Sequence, residues 1–176
     1  MSLSSIERFF ARAEQALSFV GLLIASLALI ASLTMVVVGV VGRYLLRTGV
    51  VFVDEYVGYS LVVMAFMGLA GALTAGRHIR IDAAIRLLPN RAQNWLEVAM
   101  GIVGLGIALF VTVQTWDRTV TSYQMGIVSV SPLETPLFLP QLFIPAGFVL
   151  FDVSLAAYVC RRLRIALTNP RDPSNP

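Results

Sequence analysis

Apolar residues run along this chain in four long stretches, separated by short segments that carry most of the charge. The first stretch, Gln15 to Gly42, has 28 residues without a charged side chain. About 20 apolar helical residues cross the roughly 30 Å hydrocarbon core of a bilayer, so this stretch can span a membrane. A cleaved signal peptide is the alternative, but its apolar region would have only about 7 to 15 residues and a small-residue cleavage site would follow. The pattern therefore predicts a transmembrane helix.

The later stretches repeat this pattern. Tyr56 to Gly76 and Val98 to Trp116 have no charged residue, and Thr135 to Cys160 has only Asp152. We predict an all-α integral membrane protein, a single membrane domain over residues 1–176 with a cytoplasmic tail at 161–176. The four transmembrane helices are expected at approximately 16–43, 55–77, 94–117 and 136–160.

Short amphipathic helices are expected at the membrane surface on either side of the first two spans. One leads into the first span, where Ser4 and Glu7 have capping-box spacing. The other lies in the second connection, where Ile81, Ile85 and Leu88 share one helical face. The third helix is expected to begin near Asn90, to continue to about Gln124 and to be stopped by Gly126.

The thirteen basic residues indicate the orientation, and all of them are arginines. Ten lie in the two tails and the second connection, and three lie in the first and third connections. The positive-inside rule then predicts that both termini are in the cytoplasm. The pI near 9.5 reflects this topology and an affinity for lipid headgroups, not for nucleic acid. The candidate headgroup contacts are Arg80, Arg86, Arg91, Arg161, Arg162 and Arg164.

Side chains that could support catalysis or bind a metal are scarce. The chain has one histidine, His78, one cysteine, Cys160, and no lysine. A nucleophile, a base and an acid cannot be assembled from this set. His78 and Asp82 have no further nitrogen or sulfur ligand nearby, and no glycine-rich phosphate loop is present. We therefore predict no enzyme activity, no metal and no cofactor.

Charged residues at the two ends of the second span are candidates for a function. Asp54 and Glu55 open the span, where an acid can cap the helix, pair with Arg43 or Arg47, or contact a partner protein. At the other end, the segment from Gly76 to Asp82 is either an ordinary cytoplasmic anchor or a partner contact.

Asp152 lies inside the fourth span. It precedes Arg161 by nine residues, hence by roughly 13 Å of helix, which places it near the middle of the bilayer. An acid at that depth costs about 2.5 to 3.5 kcal/mol on insertion scales and should find a partner or stay protonated. Two interpretations stay open: a bond to Ser26 or to a backbone carbonyl beside a glycine, and a polar contact with another subunit.

Several segments together resemble a known family. They are Val53 to Tyr56, the run Gly76 to Asp82 followed by Leu87 to Pro89, and the stretch from Ser131 through Pro136 to Gly147. They are similar to the small membrane subunit of tripartite ATP-independent periplasmic (TRAP) transporters. The resemblance implies a scaffold subunit of the bacterial inner membrane. It would pair with a large multi-span transport subunit for sodium-coupled uptake of an organic acid, which a periplasmic substrate-binding protein delivers. The residues expected to contact partners are Arg43, Asp54, Glu55, Arg77, His78, Asp82 and Asp152.

Two other classes of protein also fit four apolar spans. A self-sufficient small transporter or channel would form a homo-oligomer and would need polar side chains that converge on a pore. A membrane assembly or sensor protein would need no pore. The first of these has few residues to draw on, and the candidates are Ser60, Thr74, Thr112, Gln114 and Asp152.

Overall fold

The computed structural model describes residues 3–45, 47, 51–74 and 90–168. They form four helices, α1 (Leu3–Tyr44), α2 (Val51–Thr74), α3 (Asn90–Gln124) and α4 (Phe138–Thr168). Each contains a segment long and apolar enough to cross a bilayer: Gln15–Tyr44, Phe52–Leu73, Trp95–Gln124 and Phe138–Arg164. The predicted all-α fold with four transmembrane helices is confirmed. The predicted surface helix in the second connection lies outside the described residues.

The ends of α1 and α3 follow from local sequence. The expected N-terminal helix is continuous with the first span, because α1 runs unbroken from Leu3 to Tyr44. α3 begins at Asn90 and ends at Gln124, as predicted. Gly126 then adopts a positive φ of 59°, which glycine tolerates at no steric cost, and the N–H of Ile127 donates to the carbonyl of Ser122 at 3.0 Å.

The helices pack in the order α1, α2, α4, α3. α1 packs mainly against α2, α2 also packs against α4, and α4 is therefore the central helix. Among the described residues, α3 packs extensively only against α4. We call the end that carries the α1–α2 and α3–α4 connections the loop end, and the opposite end the terminal end. Because α4 separates α2 from α3, the side chains of α4 decide how the two halves of the molecule meet.

Two glycines allow α1 and α4 to approach the backbone of α2. A methyl group on Gly21 of α1 would lie 2.6 Å from the carbonyl oxygen of Met67, closer than real contacts allow. A methyl group on Gly147 of α4 would collide with the carbonyl of Phe66. Small residues permit such backbone contacts where lipid provides no hydrophobic drive for helix association. The bundle is therefore tightest around these two consecutive residues of α2.

Pro145 is buried within α4 and leaves an unpaired backbone group. A proline has no N–H, so the carbonyl of Gln141, four residues earlier, receives no helical hydrogen bond from that position. The hydroxyl of Thr119 in α3 donates to the carbonyl of Thr115 at 2.8 Å and also lies 3.4 Å from the carbonyl oxygen of Gln141. Because a threonine hydroxyl has one proton, the neighbouring helix compensates for the proline only through this longer, shared contact.

Candidate functional site

Glu55 joins the start of α2 to the loop between α3 and α4. The hydroxyl of Tyr59, one turn later on α2, donates to Oε1 of Glu55 at 2.5 Å. The hydroxyl of Ser131 in the loop donates to Oε2. Both carboxylate oxygens are therefore occupied by hydroxyl donors of this chain, and one of them comes from a residue 76 positions away.

The loop that carries Ser131 has a defined shape. Val128 and Pro136 form an antiparallel bridge, and the N–H of Ser129 donates to the carbonyl of Thr135 at 2.8 Å. These bonds bring the two arms of the loop together. The tip then presents Val130 fully to solvent or a neighbour, while Ser131 turns toward α2. We call residues 125–137 the α3–α4 loop.

Asp54 lies beside Glu55 in the sequence but has a different environment. Its Oδ2 lies 3.6 Å from Nη2 of Arg43 at the end of α1, and the side chains are 82% and 62% exposed. The predicted option of pairing with Arg43 is therefore what the structure shows for Asp54. An exposed pair of this kind contributes only about 0 to 1 kcal/mol, so these charges are available to a partner at low cost.

Asp152 lies inside the bundle, between α4 and α3. The residue is 7% exposed, and the hydroxyl of Thr112 in α3 lies 2.7 Å from its Oδ2. The expectation of a bond to Ser26 is wrong, because the hydroxyl of Ser26 donates to the carbonyl of Leu22 within α1. The physical reason is the direction of the side chain: Asp152 faces α3, whereas α1 contacts another face of α4, as at Gly21 and Leu150.

A second polar contact joins α3 and α4 at the terminal end. Nε of Arg162 lies 2.7 Å from Oε2 of Glu97, and both side chains are largely buried, at 23% and 17% exposure. The guanidinium also lies 5.6 Å from the centre of the Tyr158 ring, within range of a cation–π contact. Arg161 and Arg164, its neighbours, are exposed.

The remaining candidates from the sequence are not placed. Arg77, His78, Arg80, Asp82 and Arg86 lie outside the described residues, and the side chain of Arg91 is also outside them.

Sequence reasoning missed four residues that the structure brings into these contacts: Tyr59, Glu97, Thr112 and Ser131. A Glu and a Tyr four positions apart on one helix face, as at Glu55 and Tyr59, could have indicated the first. Nothing in the local sequence indicates which residue of the α3–α4 loop meets α2. Thr112 had been noted only as one of the few polar residues within the spans.

Comparison with known proteins agrees with these features. Residues 32–165 match the family described as tripartite ATP-independent periplasmic transporters, DctQ component. That range includes α2, α3 and the α3–α4 loop, together with Glu55 and Asp152. The chain therefore belongs to this family and is a small membrane subunit of a TRAP transporter.

A named relative carries the same assignment. The ectoine TRAP transporter small permease protein TeaB of Halomonas elongata is 24% identical over 131 residues, which cover 74% of this chain and 67% of that protein. The resemblance inferred from the sequence is confirmed. The family also implies a multi-pass protein of the inner membrane that associates with a large permease and a periplasmic binding protein.

Proposed function

We propose that this chain is the scaffold that pairs with the large transport subunit during sodium-coupled uptake of an organic acid delivered by the periplasmic binding protein. The observation that carries the proposal is the enclosure of Asp152. A path for a substrate or an ion needs polar groups that face water. The described acid deepest in the bundle instead lies between two helices of its own chain, bonded to Thr112. This arrangement supports a structural role for the bundle and leaves transport to the large subunit.

The substrate class is proposed from the family. TeaB is named for an ectoine transporter, and at 24% identity it supports a small organic solute as the cargo of the system to which this chain belongs. We retain an organic acid as the proposed substrate. The recognition of that substrate would belong to the binding protein and the large subunit.

The loop end is proposed to face the periplasm and to contact the binding protein. Arg43 and Asp54 present exposed charges there, and the α3–α4 loop presents the exposed apolar side chains of Val130 and Leu133. Exposed apolar side chains next to charges are typical of a protein contact surface. Glu55 would contribute indirectly, since its carboxylate holds Ser131 and thus the loop.

The terminal end is proposed to face the cytoplasm. Arg77, His78 and Asp82 stay candidate contacts to the large subunit there, and the headgroup-binding arginines would lie at the same surface. Asp152 is proposed to affect the large subunit through the position of α3 rather than by direct contact, because its side chain is buried within this chain.

Reconstitution tests the proposed role. Vesicles would contain this chain alone, the large subunit alone, or both, each with the binding protein, an imposed sodium gradient and radiolabelled substrate. We expect uptake only when both membrane subunits are present, and we expect the two to purify as a stable complex. Sodium-driven uptake by this chain alone, or its purification as a symmetric homo-oligomer without the large subunit, would contradict the proposal and favour the small-transporter alternative.

Cysteine labelling tests the proposed orientation. In a Cys160→Ser background, Val130→Cys at the loop tip and Arg164→Cys at the terminal end provide two single-cysteine variants. A maleimide that cannot cross the inner membrane should label the first in cells with a permeabilised outer membrane, and the second only after the inner membrane is opened. The reverse pattern would overturn the orientation without affecting the scaffold role.

A further inference from the structure

Asp152 lies in the middle of the fourth spanning segment. That segment runs from Phe138 to Arg164, so Asp152 is about 21 Å of helix from one end and about 18 Å from the other. Both distances exceed half the thickness of a hydrocarbon core of about 30 Å. The residue is also only 7% exposed. Bulk water at either surface of the membrane therefore does not solvate this carboxyl group.

A single shared donor serves the two carboxyl oxygens of Asp152. The hydroxyl of Thr112 lies 2.7 Å from Oδ2, but it also lies 2.9 Å from the carbonyl oxygen of Ala108 and has only one proton. Oδ1 is buried and has no hydrogen-bond donor among the described residues. An ionised carboxylate has about four lone-pair sites that accept hydrogen bonds. The interface between α3 and α4 thus provides far fewer donors than a carboxylate needs.

The neighbouring hydroxyls use their protons within their own helices. Ser154, which is fully buried two residues after Asp152, donates to the carbonyl of Leu150 at 3.0 Å. Thr115, one turn from Thr112 on α3, donates to the carbonyl of Val111 at 2.8 Å. Neither hydroxyl supplements the one that Asp152 already shares.

The described cations of the bundle lie too far from Asp152 to balance a negative charge. On α4, Arg161 follows it by nine residues, which is about 13 Å of helix. On α3, Asp117 and Arg118 follow Thr112 by about 8 to 9 Å of helix, and they are exposed and opposite in charge. The other described charged side chains of the helices lie toward the ends of the bundle: Arg43, Asp54 and Glu55 at the loop end, and Glu97, Arg162 and Arg164 at the terminal end.

We propose that Asp152 is a neutral carboxylic acid at neutral pH, and that the interface between α3 and α4 is a closed proton-binding site. An isolated carboxylate in apolar surroundings costs so much free energy that the group takes up a proton instead. With that proton, Asp152 needs neither a cation nor several donors. A neutral acid still accepts the hydrogen bond from Thr112, so it keeps its contact with α3.

The packing on both sides of Asp152 closes the site. Toward the terminal end, a methyl group on Gly101 of α3 would lie 2.8 Å from the side chain of Val159, so the helices are in close apolar contact there. Toward the loop end, Pro145 of α4 and Thr119 of α3 are buried. The bound proton therefore has no open route to water through the described residues, and we expect it to exchange only when α3 and α4 separate.

Infrared spectroscopy of the full-length chain tests the protonation of Asp152. The chain is synthesised with aspartate that carries a heavy carbon isotope in its side-chain carboxyl group, so that the bands of aspartates shift and those of glutamates do not. In dioleoylphosphatidylcholine vesicles at neutral pH, we expect a carbonyl band of a protonated aspartic acid, and Asp152→Asn should remove it. Asp54→Asn is the matched control and should leave this band unchanged, because the Asp54 carboxylate is exposed beside Arg43.

Variants of Thr112 test whether the protonated acid lies at the interface between α3 and α4. Thr112→Val removes the hydrogen bond and should move the carbonyl band to a higher frequency, because a hydrogen bond weakens the carbonyl stretch. Thr112→Ser keeps a hydroxyl at this position and should leave the band close to its original frequency. Thr112→Ala is a second variant without the hydroxyl, for use if Thr112→Val does not reconstitute.

Transfer into heavy water tests whether the site is closed. The carbonyl band shifts when a deuteron replaces the proton of Asp152. We expect this shift to be as slow as the exchange of the protected backbone amides in the same sample, because both require the helices to separate.

Two results would overturn the proposal. If Asp152→Asn removes a carboxylate band and no band of a protonated acid, Asp152 is ionised. If the shift in heavy water is complete before the protected amides exchange, water reaches the acid and the site is not closed. The proposal does not depend on the transport role, since every measurement uses this chain alone.

Discussion

The hydroxyl of Thr112 in α3 lies 2.7 Å from Oδ2 of Asp152 in α4, and this contact joins the outermost helix to the central one. The same hydroxyl lies 2.9 Å from the carbonyl oxygen of Ala108. A threonine hydroxyl has one proton to donate, so the two acceptors share it. Asp152 therefore depends on Thr112, whereas Thr112 has a second acceptor within its own helix.

Because of this difference, we expect substitutions of Thr112 and of Asp152 to reduce the stability of the bundle by different amounts. Thr112→Val should destabilise the bundle by about 1 to 3 kcal/mol, because it leaves a buried acid without its donor. Asp152→Leu should cost only about 0.6 to 2 kcal/mol, since it removes the acid together with the need for a partner. Asp152→Asn should be tolerated. Unfolding in mixed detergent micelles, followed by tryptophan fluorescence, measures these differences.

A double variant tests whether the Thr112–Asp152 contact explains these stability differences. Thr112→Val combined with Asp152→Leu should be more stable than Thr112→Val alone, because no unpaired acid remains. Additive losses would show that the two residues act independently. Co-purification of the Asp152→Leu variant with the large subunit reports separately on assembly. We expect less of the large subunit to be recovered, because the substitution alters the position of α3.

The Glu55–Ser131 contact predicts a change in loop mobility. Glu55→Ala and Ser131→Ala should each raise hydrogen exchange across the α3–α4 loop, and the double variant should add little, because both remove the same bond. Asp54→Ala is a matched control at the adjacent position, since its exposed carboxylate contacts Arg43 and not the loop. Equal exchange in the Glu55→Ala and Asp54→Ala variants would contradict this role of Glu55.

The exposed Arg43–Asp54 pair predicts a loss of coupling without a loss of stability. Arg43→Glu and Asp54→Arg should leave membrane abundance unchanged, because a surface pair contributes about 0 to 1 kcal/mol, but should reduce uptake driven by the binding protein. The combined charge swap restores the internal pair. If it also restores uptake, the pair acts within this chain and the proposed contact surface is wrong at these positions.

The close approach of α4 to α2 predicts that replacing Gly147 and replacing Gly106 have very different effects on the stability of the bundle. Gly147→Ala should destabilise the bundle by about 1 to 3 kcal/mol, since its methyl group would collide with the carbonyl of Phe66. Gly106→Ala faces open space and should be neutral or stabilising by up to about 1 kcal/mol, as a helical glycine is replaced. Thermal unfolding in detergent measures both. Similar losses at the two positions would indicate that helix packing around Phe66 is loose.

The Glu97–Arg162 pair predicts that Arg162 contributes more to the stability of the bundle than an exposed arginine does. Arg162→Gln should cost about 1 to 3 kcal/mol, because Glu97 would stay largely buried without its cation. Arg118→Gln is the control at an exposed position of α3 and should change stability by less than about 0.5 kcal/mol. The same unfolding measurement applies, and equal effects would mean that the ion pair contributes nothing specific.

The sequence by itself determined the number of spanning helices, because uncharged stretches of this length are stable only in lipid and a helix satisfies its own backbone there. It also determined that α3 ends shortly before Gly126, which depends on local backbone conformation. The family followed from short segments around α2 and before α4. The position of Asp152 within the fourth spanning segment followed from counting residues along one helix. Each of these features depends on one segment of the chain, so the local sequence is sufficient to predict it.

The order of the helices and the partners of the polar residues were decided only by the tertiary structure. All four spans are apolar around most of their surface, so the pattern gives no strong indication of which face meets which helix. The central place of α4 depends on fits such as Gly147 against Phe66, and that place turns Asp152 toward Thr112 instead of Ser26. The contact between Glu55 and Ser131 likewise requires the chain to return to α2 after two further helices. Such contacts depend on shape complementarity between distant segments, which no local pattern contains.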